Sequence, residues 1–256
     1  MLKDERKTTQ AAGPTVIDTH RYKAEIGEIF IRAEKYDTLV DKLVTPKTLA
    51  FPHNYNQALQ TLFNLREQAP NFAGFIDLVT SQLKTHHHYG VDKPFTLTPT
   101  LLVGPPGEGK TYISERVAQA VDIWFGRISL SNATEGFVLS GCPKGYSSTN
   151  PGDVARRMGA SNAINPILLL DELDKAAFIA RDRPSVTGPL LQLLEPDTAK
   201  FFEDSCLQME LNAAHVSWIA TANDISTIPE PILSRFHIIH IEQVDICEKA
   251  RQLNAL

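Results

Sequence analysis

Apolar positions change their period along this chain, and the change divides it in two. Between residues 23 and 44, Ile26, Ile29, Phe30, Ala33, Tyr36, Leu39, Val40, Leu43 and Val44 recur at the three- and four-residue spacing of a buried helix face. Pro46 and Pro52 interrupt that pattern. Ala58, Leu59, Leu62 and Phe63 predict a second helix, and Phe72, Phe75, Ile76, Val79 and Leu83 a third, with Asn71 as its N-cap. Beyond residue 99 the apolar residues gather into short continuous runs. Thr100–Val103, Arg127–Leu130, Ile167–Leu170, Val216–Thr221 and Ile238–Ile241 read as strands. Helical signals lie between them: Ile113, Val117 and Val121 at four-residue spacing, Asn150-Pro151 as an N-cap and N1 pair ahead of Val154 and Met158, and Thr187–Leu194. Strands alternating with helices predict an α/β fold, a mostly parallel sheet flanked by helices, preceded by an N-terminal helical extension. Ligands of such sheets sit at the carboxyl ends of the strands.

Composition narrows the function classes. Hydrophobic residues make up 43% of the 256, enough for a sizeable core. A net charge of -5 argues against a broadly basic surface, so nucleic acid is not the expected partner. Cys142, Cys206 and Cys247 lie far apart with no C-x-x-C, which fits a reducing compartment better than a disulfide framework or a zinc site. The charged N-terminus lacks the apolar run of a signal peptide, and no apolar stretch approaches the ~20 residues of a membrane span. The expectation is a cytoplasmic protein with no membrane partner. Residues 1 to about 20 are polar and expected to be disordered. His86, His87 and His88 invite a metal hypothesis, but three consecutive side chains cannot converge on one ion, and a solvated loop is the expected reading.

The candidate chemistry begins at the end of the first strand. Gly104, Pro105, Pro106, Gly107, Glu108, Gly109, Lys110 and Thr111 fit G-x-x-x-x-G-K-[ST], the phosphate-binding loop of nucleoside triphosphatases. Glycines let backbone N–H groups turn inward around an anion, and the following helix start adds further unpaired N–H groups. Lys110 can reach the β- and γ-phosphates of ATP, and Thr111 can offer its hydroxyl to Mg²⁺. A Gly/Pro-rich turn is the bland alternative, and the flanking strand and helix argue against it. The strand Ile167–Leu170 runs into Asp171 and Glu172, placed respectively to hold Mg²⁺ and to orient or deprotonate an attacking water. Asn223, after another strand, can bind that water or the γ-phosphate, although an Asn there is commonly a turn former. Arg235 taken alone is a surface arginine.

Taken in order, Gly104 to Thr111, Leu170 to Lys175, Ile219 to Asn223 and Pro231 to Phe236 resemble the successive motifs of an AAA+ ATPase, most of all the ATPase module of Lon proteases. Leu190 to Asp197 followed by Phe201 to Asp204 is similar to that family's segment between Walker B and sensor 1, and Gly141, Tyr146, Pro151 and Gly152 match the spacing of its pore-loop region. The resemblance covers roughly residues 70 to 245. It implies a P-loop NTPase fold and ATP hydrolysis with Mg²⁺, and it makes Asn223 the sensor-1 residue and Arg235 an arginine finger acting on a neighbouring subunit. It further implies a homo-oligomeric ring, a hexamer among the candidates, that remodels protein substrates, with Tyr146 gripping polypeptide. The expected division is an extension over residues 1–68, a nucleotide-binding core over 69–245 and a short tail over 246–256. The lid with its sensor-2 arginine and the proteolytic domain are expected to be absent, so no peptidase is expected. Ser147 stands where Lon carries an apolar residue, which weakens the gripping role. Two other classes stay open: a DNA-associated AAA+ ATPase, and a nucleotide-gated interaction module with little turnover.

Overall fold

The computed structural model describes residues 15–17, 36–52, 54–89, 94–131, 137–143, 149–176, 178 and 185–244. Three helices come first: α1 (Asp37–Val44), α2 (Tyr55–Gln68) and α3 (Ala73–Tyr89). Asn54 caps α2 by accepting the Gln57 N–H at 3.0 Å. The core then runs β1 (Thr100–Val103), α4 (Lys110–Ala120), β2 (Phe125–Ser129), α5 (Phe137–Ser140), α6 (Asp153–Ala160), β3 (Ile167–Asp171), α7 (Thr187–Leu193), α8 (Pro196–Ala199), β4 (Phe202–Asp204), β5 (Met209–Leu211), β6 (Ser217–Ala222), α9 (Glu230–Leu233) and β7 (His237–His240).

Five strands form a parallel sheet in the order β2-β3-β6-β1-β7. β1 and β6 are buried at every position, and so is β3, because both faces are covered. Successive side chains therefore enter different cores. Leu101, Leu168, Leu170, Trp218 and Ala220 pack with α6, α7 and the β4–β5 hairpin. Leu102, Ile167, Leu169 and Ile219 pack against Ile113 and Val117 of α4 and its C-cap Val121 and, beyond them, against Leu62, Phe75 and Ile76 of α2 and α3. The N-terminal helices both pair with one another and dock on the core. Val40 and Leu43 of α1 share the first cluster with Met158 of α6.

The segment between α1 and α2 is fastened below the sheet. Lys47 Nζ donates to the Ser161 carbonyl at 2.6 Å, and the Asn165 side chain bonds both Ala50 and Phe95. The buried ammonium is lowered in pKa, first by desolvation and then by Lys42.

Several expectations change. His86, His87 and His88 do not form a loop; they are the last turn of α3, where His87 stacks on Tyr55 with centroids 3.8 Å apart and His86 lies between Phe51 and Phe95. His86 is half-buried, while His87 and His88 stay exposed, His88 edge-on to Tyr89 of its own turn. Among the described residues no group of His, Cys, Asp or Glu has the arrangement of a metal site. Asn71 lies inside a 3₁₀ turn, Pro70–Phe72, and makes no capping bond. The helix after Asn150-Pro151 starts at Asp153 with Gly152 as its N-cap. Phe63 is exposed, the buried face of α2 being Ala58, Leu62 and Leu65. Val16 and Ile17, inside the stretch expected to be disordered, are buried in the first cluster, and the Asn212 N–H donates to the Val16 carbonyl at 2.7 Å. The tail from residue 245 and the residues between 17 and 36 lie outside the described residues. No described helix is long and apolar enough to cross a membrane.

Candidate nucleotide site

The site grows from the carboxyl ends of β1, β3 and β6, where the sheet's crossovers leave in opposite directions. After Val103 the chain turns sharply. A Cβ on Gly104 would lie 2.5 Å from the Ile241 carbonyl oxygen, so only glycine lets the segment leaving β7 pass there. Gly107 and Gly109 take φ of 78° and 93°, the left-handed region that side chains disfavour. A Cβ added at either would meet nothing within 4 Å, so the backbone conformation, and not crowding, calls for glycine there. α4 starts directly behind it, with Gly109 as its N-cap, and its first N–H groups have no partner within the helix. This combination of inward-turning glycines and a helix start fits a phosphate.

Lys110 is buried at the base of this loop. Its ammonium donates to the carbonyls of Gly104 (2.6 Å) and Pro105 (2.8 Å) and to Asn223 Oδ1 (3.1 Å). Desolvation lowers its pKa, against the opposing charges of Asp174, Asp171 and Glu108. Asn223 thus meets Lys110 in space although 113 residues separate them. Glu108 is also buried and accepts the Val244 N–H at 3.4 Å, a second tie between the loop and the segment leaving β7.

Asp171 ends β3 nearly fully buried. Its Oδ1 accepts from Thr111 Oγ1 (3.1 Å) and Thr221 Oγ1 (2.6 Å), and its Oδ2 pairs with the Arg127 guanidinium. A carboxylate and a threonine hydroxyl this close are the hard oxygen donors that Mg²⁺ takes together with substrate phosphates and water, so the residues fit that ion. Glu172 follows with φ of 59°, and its backbone N–H donates to Thr221 Oγ1 at 3.0 Å. That hydroxyl therefore orders both acids at once. The Glu172 carboxyl pairs with Lys175, which holds it below the usual carboxylate range.

Arg235 stands apart. NH1 donates to the Pro231 carbonyl and NH2 pairs with Glu195 Oε1, each at 2.6 Å. Its described partners belong to its own α9 turn and to the α7–α8 junction. Tyr146 lies outside the described residues; Gly141 and Gly152, which flank it, are described.

Sequence reasoning gave no role to Arg127, which it read only as part of a strand, and it quoted Asp174, Glu195 and Thr221 only as parts of motifs. Arg127 and Thr221 reach Asp171 because β2 and β6 flank β3, an adjacency set by sheet order. A threonine two residues before Asn223, on a strand ending beside two acids, is the one local signal that points to this contact.

Comparison with known proteins agrees with this geometry. Residues 100–243 match the model of the AAA family, the ATPase family associated with various cellular activities. The Lon protease of Mesomycoplasma hyopneumoniae (strain 232) is 34% identical over 173 residues, 68% of this chain and 20% of the relative. That of Desulforamulus reducens is 39% identical over 140 residues, 55% of this chain and 17% of the relative. The chain thus spans about a fifth of the length of these relatives. A cryo-EM structure of Hsp104 in its closed state with ATPγS and FITC casein superposes with a TM-score of 0.59 at 18% identity, covering 78% of this chain and 38% of that one, a likeness of fold. With a family match over more than half its residues, and with the phosphate loop, the acidic strand end and the Asn223 amide gathered on one edge of a parallel sheet, this chain belongs to the AAA family of P-loop ATPases.

Proposed function

We propose that the chain is the ATP-hydrolysing core of a Lon-like motor, a homo-oligomeric ring that binds Mg-ATP at subunit interfaces and remodels protein substrates. The observation that carries the reading is the meeting of Lys110, Asn223, Thr111 and Asp171 at the carboxyl ends of three neighbouring strands. The P-loop glycines and the start of α4 would cradle the phosphates. Lys110 would exchange two backbone carbonyls for phosphate oxygens, a charge-assisted and therefore stronger pairing. Thr111 and Asp171 would hold Mg²⁺, which supplies neutralising charge at the phosphate oxygens. Glu172, charged at neutral pH, takes a proton from the water whose oxygen bonds to the γ-phosphorus as the bond to the bridging oxygen of ADP breaks. Asn223 orients that water. Arg235 of one subunit stabilises the charge developing at its neighbour's site. The reaction assigned here is phosphoanhydride hydrolysis, and peptide-bond cleavage is not part of it. The likeness to Lon proteases supports a protein substrate, and Tyr146 remains the candidate gripping residue.

A second reading, a nucleotide-gated interaction module with little turnover, is favoured by one observation. Both Glu172 and Arg235 are engaged by ion-pair partners of their own chain.

Subunit mixing tests the first reading against the second. Arg235→Ala and Glu172→Gln each bind ATP and each lose turnover. Mixed rings regain activity where an intact Glu172 faces an intact Arg235 from the neighbour. No activity at any mixing ratio, with an active wild type and exchanging subunits, overturns the trans-acting arginine.

A further inference from the structure

Asp174 lies in the 3₁₀ turn Leu173–Lys175 that follows the two acids of β3. An acid in a short turn ordinarily bonds the N–H groups of its own turn. Asp174 instead binds the segment after β6. Its Oδ2 accepts the backbone N–H of Asn223 at 3.2 Å, across 49 residues. Its carbonyl accepts Thr227 Oγ1 at 2.9 Å, across 53 residues. Its Oδ1 is buried without a hydrogen-bond partner, so the carboxylate is committed on one side only. Its charge is also the foremost of the three that favour the protonated Lys110.

These contacts form a closed circuit. Asp171 binds Thr221, Thr221 leads within two residues to Asn223, Asn223 binds Lys110, and Asp174 holds the Asn223 backbone. The following loop is held a second time at Thr227, three residues before the α9 segment Glu230–Leu233 that leads to Arg235.

We propose that Asp174 is the positioning residue for Asn223, receiving its backbone N–H so that the side-chain amide stays against Lys110, while the Asp174 carbonyl ties the segment leading to Arg235 to the end of β3. The proposal rests on the reading of Asn223 as a residue of the ATP site. Because Asp174 touches no reacting atom, its role is geometric. An acceptor oxygen is what it needs to supply, and asparagine supplies one.

Hydrogen exchange on the full chain tests the placement without reference to turnover. Asp174→Ala is expected to speed exchange of the Asn223 amide about tenfold or more, while Asp174→Asn stays within about threefold of wild type. In steady-state kinetics Asp174→Ala lowers kcat with KM for ATP little changed, and Asp174→Asn restores most of kcat. A merely structural acid loosens exchange across β3 and β6 alike and moves KM with kcat, which overturns the proposal. Unchanged protection in Asp174→Ala, or Asp174→Asn exchanging as fast as Asp174→Ala, also overturns it. Asn223→Ala separates the two ideas: if it hydrolyses ATP at the wild-type rate, the reading of Asn223 fails, and the exchange data still judge the placement.

Discussion

Asp204 closes β4 fully buried and bonds three backbone N–H groups. Oδ1 accepts from Cys206 (3.0 Å) and Leu207 (2.9 Å), and Oδ2 from Gly152 (2.8 Å). It thereby pins the β4–β5 turn to the base of the stretch between Gly141 and Gly152, the two ends of the candidate pore-loop region. The fit is close, since a Cβ on Gly141 would lie 2.7 Å from Asp204 Oδ1. Asp204→Ala leaves three buried donors unpaired. At about 1 kcal/mol each, the low end for such groups, the loss is about 3 kcal/mol. In a chain of this length 1 kcal/mol moves the melting midpoint by about 2–4 °C, so a fall of about 6–12 °C is expected. Asp204→Asn keeps an acceptor for the turn but sets an amide donor against the Gly152 N–H, and it should lose about a third to a half as much.

The same residue gives a pH signature. Burial raises its pKa above the usual carboxylate range, against the backbone donors of Leu207, Gly152 and Cys206 and the charge of Arg156. The native state then holds this proton more tightly than the unfolded chain. Its stabilising contribution is complete below the ordinary value of about 4 and is lost as pH rises through the raised native value. The penalty of Asp204→Ala should be largest at the acid end of that window and shrink as pH rises. Calorimetric melting of both variants across this range is the assay, with the fully exposed Asp197→Ala as control. A shift for Asp204→Ala no larger than the control's refutes the reasoning.

Two further outcomes concern the site itself. Lys110→Ala should abolish ATP binding in titration calorimetry, because the backbone cradle loses its phosphate-facing cation, and undiminished affinity would remove the assignment. Arg127→Ala should destabilise the nucleotide-free chain by about 1–2 kcal/mol, the range between an exposed and a buried pair, since it leaves the Asp171 carboxylate with hydroxyl partners alone. Mg-ATP should shrink that loss in thermal melting, and an equal loss with and without Mg-ATP would mean that no cation replaces the guanidinium.

What was legible in the sequence was what is local. The phosphate loop is eight consecutive residues whose spacing states its own geometry, and β1 was read at its observed ends because four apolar residues lead straight into it. β3 and β6 were found the same way, to within a residue. The β4–β5 hairpin was missed because three-residue strands show no period, and its turn, Ser205–Gln208, contains no glycine; Gln208 takes the positive φ of 56° instead. The histidine turn was misread as a loop although His87 and His88 are exposed as expected; what holds it helical includes ring contacts with Phe51, Tyr55 and Phe95, which come from other segments. Arg127, Thr221, Asp174 and Glu195 act through pairs distant in sequence; the first three follow from the order of strands in the sheet and the last from the meeting of two helix ends, not from any spacing along the chain.

The intrachain pair at Arg235 bears directly on the trans-acting role, and magnitudes decide its weight. The Arg235 side chain keeps 28% of its surface and that of Glu195 48%, so both ends of the pair reach water. Such a pair is worth at most about 1 kcal/mol. An arginine finger that raises turnover ~10³-fold supplies about 4 kcal/mol of transition-state stabilisation. On the proposed trans-acting reading, leaving Glu195 would cost less than the neighbour's site would return, and the pair is no obstacle to that role. The pair places the guanidinium at the α7–α8 junction, ahead of the hairpin that Asp204 fastens to Gly152. On that proposed reading, nucleotide in an adjacent subunit would draw Arg235 away from this junction, from which the chain runs on to Asp204 and its bond to Gly152.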